Sequence, residues 1–336
     1  MAKTILLTGG AGYIGSHTYL SLVAAGYDVV ILDNFANARR SVPERLEQIT
    51  GRPVTVIDAD VRNRDALTAA FAKHHIDAVV HFAALKAVAE SVERPLDYFD
   101  VNIGGLTNLL HAMEAAGCRR LVFSSSATVY GVPDETPTPE TAEFRGMNPY
   151  GQTKIMGEQM LDWLAKANRD WAIGTLRYFN PAGAHDSALI GEDPRDIPNN
   201  LMPYIARVAN GQLDRINVFG NDYDTPDGTG VRDYIHVEDL ARGHVLSLEN
   251  LFRTGESHLV NLGTGRGYSV LEVIAAYKRA SNRDLPFTIT GRRPGDVPIY
   301  VAKADKAAEV LGFRTEKTLD EMCASSWKWV SGPASD

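Results

Sequence analysis

Thr8-Gly9-Gly10-Ala11-Gly12-Tyr13-Ile14-Gly15 is the stretch that decides the fold of this chain. It follows an apolar run at residues 4–8 that suits a buried strand, and it opens a helical pattern over residues 14–25. Its glycines satisfy both G-x-x-G-x-x-G and G-x-G-x-x-G. Glycine lets the backbone approach a pyrophosphate, and the N–H groups and positive dipole end of the following helix attract it. The stretch therefore predicts a dinucleotide site.

Outward from this loop, short β-branched runs alternate with helical stretches through the first half of the chain. The strand candidates are residues 4–8, 27–32, 54–59, 77–83, 120–125 and 171–179. Several are apolar on consecutive residues, as at Val79-Val80, which suits strands covered on both faces. The alternation predicts an α/β fold with a Rossmann-like, doubly wound parallel sheet and right-handed crossovers.

The composition changes after Asn180. Segments 180–235 and 285–300 are rich in Pro, Gly, Asn and Asp, and we interpret them as a smaller, loop-rich α/β lobe that supplies a substrate pocket. The sequence thus predicts a dinucleotide-binding domain at 1–180, with returns to it near 233–265. The remainder, 181–336, is predicted to be mainly a substrate-binding lobe.

The composition excludes several classes of protein. The 336 residues are 44% apolar and 23% charged, an ordinary globular mixture that rules out disorder. Acidic residues outnumber basic ones, 42 against 34, which argues against nucleic acid or an anionic membrane as the main partner. Cys118 and Cys323 have no metal-binding or redox spacing. There is no signal-peptide pattern and no apolar stretch near ~18 residues, so we expect a reduced, cytoplasmic enzyme.

Asp33 stands eighteen residues beyond Gly15, at the end of the second predicted strand. A carboxylate there accepts hydrogen bonds from the adenosine ribose and repels a 2′-phosphate, which favours NAD over NADP. Arg39 and Arg40 would suit NADP, but we interpret them as a solvated basic turn. Asp60 is placed either to meet the adenine edge or simply to end a strand.

A second motif points to proton transfer. Asn148-Pro149-Tyr150-Gly151-Gln152-Thr153-Lys154 has the pattern of a helix start, and Tyr150 and Lys154 share one helical face. A free phenol has a pKa of about 10. A nearby ammonium lowers that pKa, so we expect Lys154 to make Tyr150 a usable acid and base. Ser124-Ser125-Ser126 places hydroxyls at the carboxyl edge of the sheet, where doubly wound proteins bind ligands.

No metal site is predicted. Asp222, Asp224 and Asp227 with Gly228 suggest a calcium loop, but Pro226 stands where a ligand is needed. No tetrahedral ligand set is present elsewhere.

Together these motifs resemble the extended short-chain dehydrogenase/reductases, and within them the UDP-glucose 4-epimerase branch, over nearly the whole chain. The resemblance is also carried by residues 81–88, 176–181 and 197–204, and most specifically by 218–223 and 227–236. Departures are Ala84 where Gly is expected, Ala11 in place of a common Ser, and a divergent loop at 131–146. None of them touches the proton-transfer residues.

The resemblance implies NAD as cofactor and the interconversion of UDP-glucose and UDP-galactose in galactose metabolism, by oxidation at C4, rotation of the 4-keto sugar and re-reduction. It implies Tyr150 as catalytic base, Lys154 as its electrostatic partner and Ser126 as hydrogen-bond partner of the sugar oxygen. The implied cofactor residues are Gly9, Gly12, Tyr13, Ile14, Gly15, Asp33, Asn34, Phe35, Asn37, Asp60, Val61, Phe82, Ala83, Ala84, Lys86, Asn102, Ser126, Tyr150, Lys154 and Phe179. The implied substrate residues are Lys86, Ser126, Tyr150, Asn180, Asn200, Leu201, Asn217, Phe219, Arg232, Arg293, Asp296 and Tyr300.

The uridine diphosphate must supply the binding energy, because it does not react. By resemblance, Arg232 and Arg293 pair with the diphosphate, Phe219 packs on the uracil, and the bulky Tyr300 crowds an N-acetyl group. From the residues alone, a salt bridge between Arg232 and Asp233 and a solvated turn at Arg293 are equally good interpretations.

Other functions stay open. The residues at the tip of the pocket determine which sugar is accepted. A 4-epimerase of UDP-N-acetylhexosamine, UDP-arabinose or a UDP-uronate is therefore an alternative. A nucleotide-sugar 4,6-dehydratase needs an Asp-Glu pair where this chain has Ala127-Thr128. An NAD-sensing protein without chemistry would need neither Tyr150 nor Lys154. The resemblance also implies a homodimer formed through helices at 94–117 and 149–168.

Overall fold

The computed structural model describes residues 2–195, 197–293 and 296–333. Its strands are β1 (Thr4–Thr8), β2 (Asp28–Asp33), β3 (Thr55–Asp58), β4 (Ala78–His81), β5 (Arg120–Ser126), β6 (Ala172–Tyr178), β7 (Asn180–Ala182), β8 (Ile216–Phe219), β9 (Val231–His236), β10 (His258–Leu262), β11 (Gly267–Ser269), β12 (Phe287–Thr290) and β13 (Ile299–Tyr300). Its α-helices are α1 (Tyr13–Ala24), α2 (Val42–Thr50), α3 (Arg64–His74), α4 (Val88–Glu93), α5 (Pro95–Phe99), α6 (Gly105–Ala115), α7 (Pro149–Ala167), α8 (Leu201–Ala209), α9 (Val237–Thr254), α10 (Val270–Ser281), α11 (Asp305–Leu311) and α12 (Leu319–Val330).

The main sheet is parallel and has seven strands in the order β10-β6-β5-β4-β1-β2-β3. The predicted α/β fold with a doubly wound parallel sheet is confirmed, and the strands start and end within one or two residues of the predicted bounds. The chain order reverses between β1 and β4. Both strands therefore end beside a crevice, which is where doubly wound sheets bind ligands.

Helices cover both faces of this sheet. On one face α1, α2, α9 and α11 bury residues such as Leu22, Leu46 and Leu248 against Ile5 and Ile31. On the other face α3, α6 and α7 bury their apolar sides against the alternate residues of the same strands. Because both faces are covered, the strands are apolar on consecutive residues, as the sequence predicts.

The remaining elements form two small sheets and a third core. Strand β9 pairs with β7, β11 and β13, and β8 pairs with β12. Helices α8, α10 and α12 pack around Tyr277, Met322 and Cys323. Reading segments 180–235 and 285–300 as loop-rich missed β7, β8, β12 and β13, because pieces of two to four residues carry little periodicity, and it also missed the six-residue β9. The division of the chain at residue 180 stays a prediction.

The helix predicted over 94–117 is broken by a π-helical turn at Asp100–Gly104, between α5 and α6. The turn holds Asn102, whose amide bonds the loop after β4. At Gly105 the chain passes so close to Val61 that an added Cβ would lie 2.6 Å from its Cγ2. Within the described ranges, none of the helices is both long and apolar enough to cross a membrane.

Candidate active site

The glycine loop lies at the start of α1 and presents backbone atoms where other residues would place side chains. Gly9 has a φ of +71°, and a Cβ there would lie 2.7 Å from the Ala83 nitrogen. A Cβ on Gly15 would lie 2.4 Å from the Gly9 oxygen. Gly12 is the N-cap residue of α1, and no side chain caps the helix there. The loop thus has the form that a pyrophosphate requires, and these residues fit a dinucleotide.

Asp33 ends β2 directly against this loop. Its buried carboxylate accepts hydrogen bonds from the backbone nitrogens of Ala11 (3.0 Å) and Phe35 (2.8 Å). Burial raises the pKa of the Asp33 carboxyl, and these two bonds act in the opposite direction. The predicted ribose ligand therefore also fixes the shape of the glycine loop.

Asn34 and Asp60 lie beside it, at the ends of β2 and β3. The Asn34 amide donates to Asp60 at 2.8 Å, and Arg62 donates to the same carboxylate at 2.8 and 2.9 Å. The hydrogen bonds from Arg62 are the main reason that the pKa of Asp60 falls to about 2. Asp60 is therefore a fixed negative charge at the predicted adenine edge.

Arg39 and Arg40 are both paired with carboxylates. Arg39 donates to Asp193 at 2.7 Å, and Arg40 donates to Asp58 at 2.8 Å. This arrangement suits their interpretation as a solvated basic turn rather than as a phosphate site.

Asn102 holds the loop that follows β4. It accepts from the Leu85 nitrogen at 2.8 Å, and its amide donates to the Leu85 oxygen and to Thr153 Oγ1, both at 3.0 Å. The loop carries Phe82, Ala83, Ala84 and Lys86, which the sequence assigns to the cofactor. Asn102 therefore acts by positioning that loop against α7.

The proton-transfer residues come together as predicted at the start of α7. The Asn148 side chain caps the helix by accepting from Gly151 N at 2.8 Å. Lys154 lies one turn beyond Tyr150, and its Nζ is 5.9 Å from the centre of the Tyr150 ring. The same Nζ donates a hydrogen bond to the Ser124 oxygen at 2.7 Å. Ser126 lies beside the phenol at the end of β5.

The lowered pKa that we expected for Tyr150 is not found in this structure. Burial raises the pKa of the Tyr150 phenol, and the Ser126 hydroxyl, not the ammonium, acts in the opposite direction. Burial also lowers the pKa of Lys154 to about 8. Burial therefore disfavours the charged forms of both groups, the phenolate of Tyr150 and the ammonium of Lys154.

Phe179 and Tyr300 form the wall above β5 and β6. Both are buried, their ring centres are 5.5 Å apart, and the Tyr300 hydroxyl donates to the Ala127 oxygen. The structure therefore places the predicted gatekeeper one residue from Ser126.

The predicted diphosphate and uracil residues lie together around β8 and β9. The Arg293 guanidinium covers the Phe219 ring at 3.8 Å, and Arg232 pairs with Asp296 at 3.3 Å. The alternative pairing of Arg232 with Asp233 is not formed. Asp233 is buried and accepts from three backbone nitrogens of the loops after β10 and β13.

The other predicted residues occupy the same two regions. Ile14 lies in α1 and Tyr13 donates from its hydroxyl to the Gly183 oxygen at 2.7 Å. Asn37 is exposed in the loop after β2, and Val61 is buried under Gly105. Asn180 begins β7, Asn200 and Leu201 begin α8, and Asn217 is exposed on β8.

Sequence reasoning missed two acids. Glu192 contacts Lys86 at 3.5 Å and Asn200 at 3.1 Å, joining two predicted ligands across the crevice. Glu158 is buried one turn beyond Lys154, and its spacing from Tyr150 and Lys154 was a signal that could have found it. Among the described residues no group of three or more His, Cys, Asp or Glu is arranged to hold a metal ion.

Comparison with known proteins agrees with this geometry. The model of the NAD dependent epimerase/dehydratase family matches residues 5–263. A UDP-glucose 4-epimerase of Bacillus subtilis is 52% identical over 97% of this chain and 96% of its own length.

Two solved structures have the same fold throughout. The UDP-glucose-4-epimerase of Stenotrophomonas maltophila, with bound NAD and formylated UDP-arabinopyranose, superposes with a TM-score of 0.96 at 52% identity, over 98% of each chain. The enzyme of Bifidobacterium longum, in complex with NAD+ and UDP, gives a TM-score of 0.93 at 49% identity, over 99% of this chain and all of that one. The chain described here belongs to the NAD-dependent epimerase/dehydratase family.

Proposed function

We propose that this protein is an NAD-dependent isomerase that interconverts UDP-glucose and UDP-galactose by epimerisation at C4. The observation that carries the proposal is the Tyr150 phenol beside the Ser126 hydroxyl, at the sheet edge that also carries the glycine loop. Relatives about 50% identical over nearly their full length are UDP-glucose 4-epimerases.

The chain's own groups supply proton transfer and orientation. In its ionised form the Tyr150 phenol accepts the proton of the sugar 4-hydroxyl, and it returns that proton after the 4-keto sugar has turned over. Ser126 holds the same oxygen and favours the ionised phenol, and the Lys154 ammonium adds a positive charge, with its Nζ 5.9 Å from the ring centre. The glycine loop and Asp33 would hold NAD, which would supply reversible hydride transfer at C4 of the sugar.

Residues on and beside the smaller sheets bind the nucleotide part of the substrate, so the hexose can rotate while the nucleotide stays bound. Arg232 and Arg293 are cations at the mouth of the crevice, and Phe219 offers an aromatic surface for uracil. Binding energy from these unreacting parts holds the nucleotide firmly while the sugar stays loosely held.

The test is a coupled assay of the purified protein with UDP-galactose, followed by product identification. Formation of UDP-glucose supports the proposal. A 4-keto-6-deoxy product would show a dehydratase, and the turn at Ala127–Tyr130, which holds no carboxylate, argues against that chemistry. NAD binding without any turnover would show a sensor and overturn the proposal.

UDP-pentose epimerisation is a second candidate, because the Stenotrophomonas maltophila structure carries formylated UDP-arabinopyranose. A pentose lacks the C6 hydroxymethyl group of a hexose, so it needs no more space in the pocket than UDP-galactose does. Running UDP-arabinose and UDP-N-acetylgalactosamine beside UDP-galactose in the same assay ranks the three substrates.

We also propose that two copies form a homodimer through α4, α5 and α7. These helices expose Val92, Leu96, Met156 and Trp163, with Leu96 81% and Trp163 70% exposed. A second copy of the same apolar surface is the partner that would cover all four side chains.

A reduced, cytoplasmic location stays our proposal. Cys118 and Cys323 are free and buried, and burial raises the pKa of their thiols to about 11 and about 12. Both therefore remain thiols at neutral pH. Cell fractionation with an antibody against the protein tests the location.

A further inference from the structure

Glu158 continues the face of α7 that carries the proton-transfer pair. Tyr150, Lys154 and Glu158 follow one another at four-residue intervals, so their side chains lie in one row along the helix. The Glu158 side chain is only 3% exposed. A carboxylate in such a place must be held by specific partners.

Those partners come from the two strands that carry the active site. Arg177 donates to the Glu158 carboxylate from Nε at 2.9 Å and from Nη2 at 2.6 Å, and Ser125 donates from its hydroxyl. Ser125 and Arg177 are opposite each other in the ladder between β5 and β6. The carboxylate therefore ties α7 to both strands, immediately beside Ser126.

Lys154 contacts the end of the same strand, β5. Its Nζ donates to the Ser124 oxygen at 2.7 Å and lies 5.1 Å from the centre of the Phe123 ring. These two contacts offer the buried ammonium one hydrogen-bond acceptor and one aromatic face. Neither carries the negative charge that a buried cation requires.

The other titratable groups around Lys154 do not supply that charge. Burial lowers the pKa of His81, on β4, to about 3, so this ring is neutral. Burial raises the pKa of Tyr150, on α7, and of Tyr178, on β6, so both phenols keep their protons at neutral pH. Arg177 is a cation, so Glu158 is the acid that supplies negative charge near Lys154.

We propose that Glu158 is a positioning residue for proton transfer: its carboxylate keeps Lys154 an ammonium beside Tyr150, while its bonds to Ser125 and Arg177 hold that lysine in register with Ser126. The inference about activity rests on the proposed epimerase function, but the statement about the charge of Lys154 does not. Burial lowers the pKa of Lys154 to about 8, and the Glu158 carboxylate opposes this. Removing the Glu158 carboxylate must therefore lower the pKa of Lys154 further.

The experiment is a pH titration of Lys154 by NMR in the full-length protein with NAD added, using lysine labelled with ¹³C at Cε. The Lys154 signal is assigned by its loss in Lys154→Met. In Glu158→Gln the titration midpoint of Lys154 falls by about one pH unit. In Glu158→Asp, which keeps the negative charge, the Lys154 midpoint stays close to that of the unsubstituted protein. The alkaline limb of kcat/KM with UDP-galactose moves in the same direction.

The matched control is Asp162→Asn. Asp162 lies one more turn along the same row, but it is exposed and pairs with Lys166 at 2.6 Å. Removing its charge leaves the Lys154 midpoint in place. If Glu158→Gln alone does not fold, because Arg177 is left unpaired, the double variant Glu158→Gln/Arg177→Met is titrated instead, and its Lys154 midpoint should still fall, by less than one pH unit because a cation is removed together with the carboxylate.

An unchanged Lys154 midpoint in the folded Glu158 variant overturns the proposal, as does an equal fall in Glu158→Asp or in Asp162→Asn. Absence of any UDP-hexose turnover in the unsubstituted protein overturns the proposed function instead. The NMR midpoint still decides the role of Glu158 in that case, so the two failures are distinguishable.

Discussion

The Tyr300 hydroxyl donates a hydrogen bond to the carbonyl oxygen of Ala127. Ala127 directly follows Ser126, so the Tyr300 ring is hydrogen-bonded to the turn next to the hydroxyl that we propose binds the sugar. Packing of Tyr300 against Phe179 closes the same wall from the other side. The space available at this end of the pocket is therefore set by one fixed aromatic side chain.

Replacing Tyr300 by Cys should open that space. We expect turnover of UDP-N-acetylgalactosamine to rise by about tenfold or more, because the N-acetyl group no longer meets the ring. Turnover of both substrates is measured by product chromatography. Tyr300→Phe keeps the ring and serves as the control, and a Cys variant with no gain on the N-acetylated substrate would falsify the gatekeeper role.

Replacing Tyr150 by Phe should abolish proton transfer while leaving the fold intact. We expect kcat for UDP-galactose to fall by about 10²–10⁴-fold, since the ring stays and only the acid/base group is removed. NAD binding by calorimetry should remain. Tyr27→Phe, at the opposite end of the sheet from the site, is the control, and near-normal turnover in Tyr150→Phe would mean that another group moves the proton.

Asp33→Ala should weaken NAD binding and relax the preference for NAD over NADP. The carboxylate accepts a hydrogen bond from the Ala11 nitrogen of the glycine loop, so its loss also loosens that loop. We expect NAD affinity to fall by about tenfold and the NAD/NADP ratio of dissociation constants to approach one. Asp28→Asn, at the opposite, exposed end of β2, should leave the ratio unchanged. An unaltered ratio in Asp33→Ala removes this residue from cofactor discrimination.

Trp163→Glu should separate the proposed dimer. The side chain stands out from α7, and a charge there would be buried without a partner if two copies met on this surface. Sedimentation velocity should show a dimer for the unsubstituted protein and a monomer for the variant. Phe287→Glu changes an exposed apolar residue on β12 in the same way and should stay dimeric. A monomeric unsubstituted protein contradicts the proposal.

Stability should fall in acid because several histidines are buried in the neutral form. Burial lowers the pKa of His17 and His81 to about 3 and of His236, His244 and His258 to about 4. Between about pH 6.5 and pH 4 the unfolded chain binds protons that the folded chain does not, so the free energy of unfolding decreases as the pH falls through this window. Each fully shifted histidine contributes a slope of about 1.4 kcal/mol per pH unit.

Chemical unfolding at a series of pH values measures this slope. His258→Gln should make it shallower, whereas His111→Gln, at an exposed position on α6, should not. A free energy of unfolding that stays constant from pH 7 to pH 4 would contradict the assignment of these rings as neutral.

Much of the main sheet could be predicted from the sequence because its signals are local. The apolar strands, the glycine loop and the Asn148 cap each lie within a few residues of chain, and the structure places them as expected. Tyr150 and Lys154 meet because helical spacing alone brings them together. The loop-rich second half could not be resolved in the same way, because its short strands exist only through pairing with β9 and β8.

The electrostatics of the site escaped prediction for a different reason. Helical spacing shows that Lys154 is near Tyr150, but the direction of the Tyr150 pKa depends on burial by elements distant in sequence. The partner of Arg232 likewise depends on the fold, because Asp296 comes from 64 residues away whereas the adjacent Asp233 faces the opposite side. Proximity in sequence indicates which charges can meet, and only the folded chain decides which of them do.

The bond from the Tyr13 hydroxyl to the Gly183 oxygen has a practical consequence for protein engineering. The Tyr13 side chain belongs to the glycine loop and is hydrogen-bonded to the segment just past β7. That segment leads toward the predicted substrate residues at the start of α8. Redesign of the dinucleotide loop for a different coenzyme will therefore disturb sugar selectivity unless that tyrosine is spared.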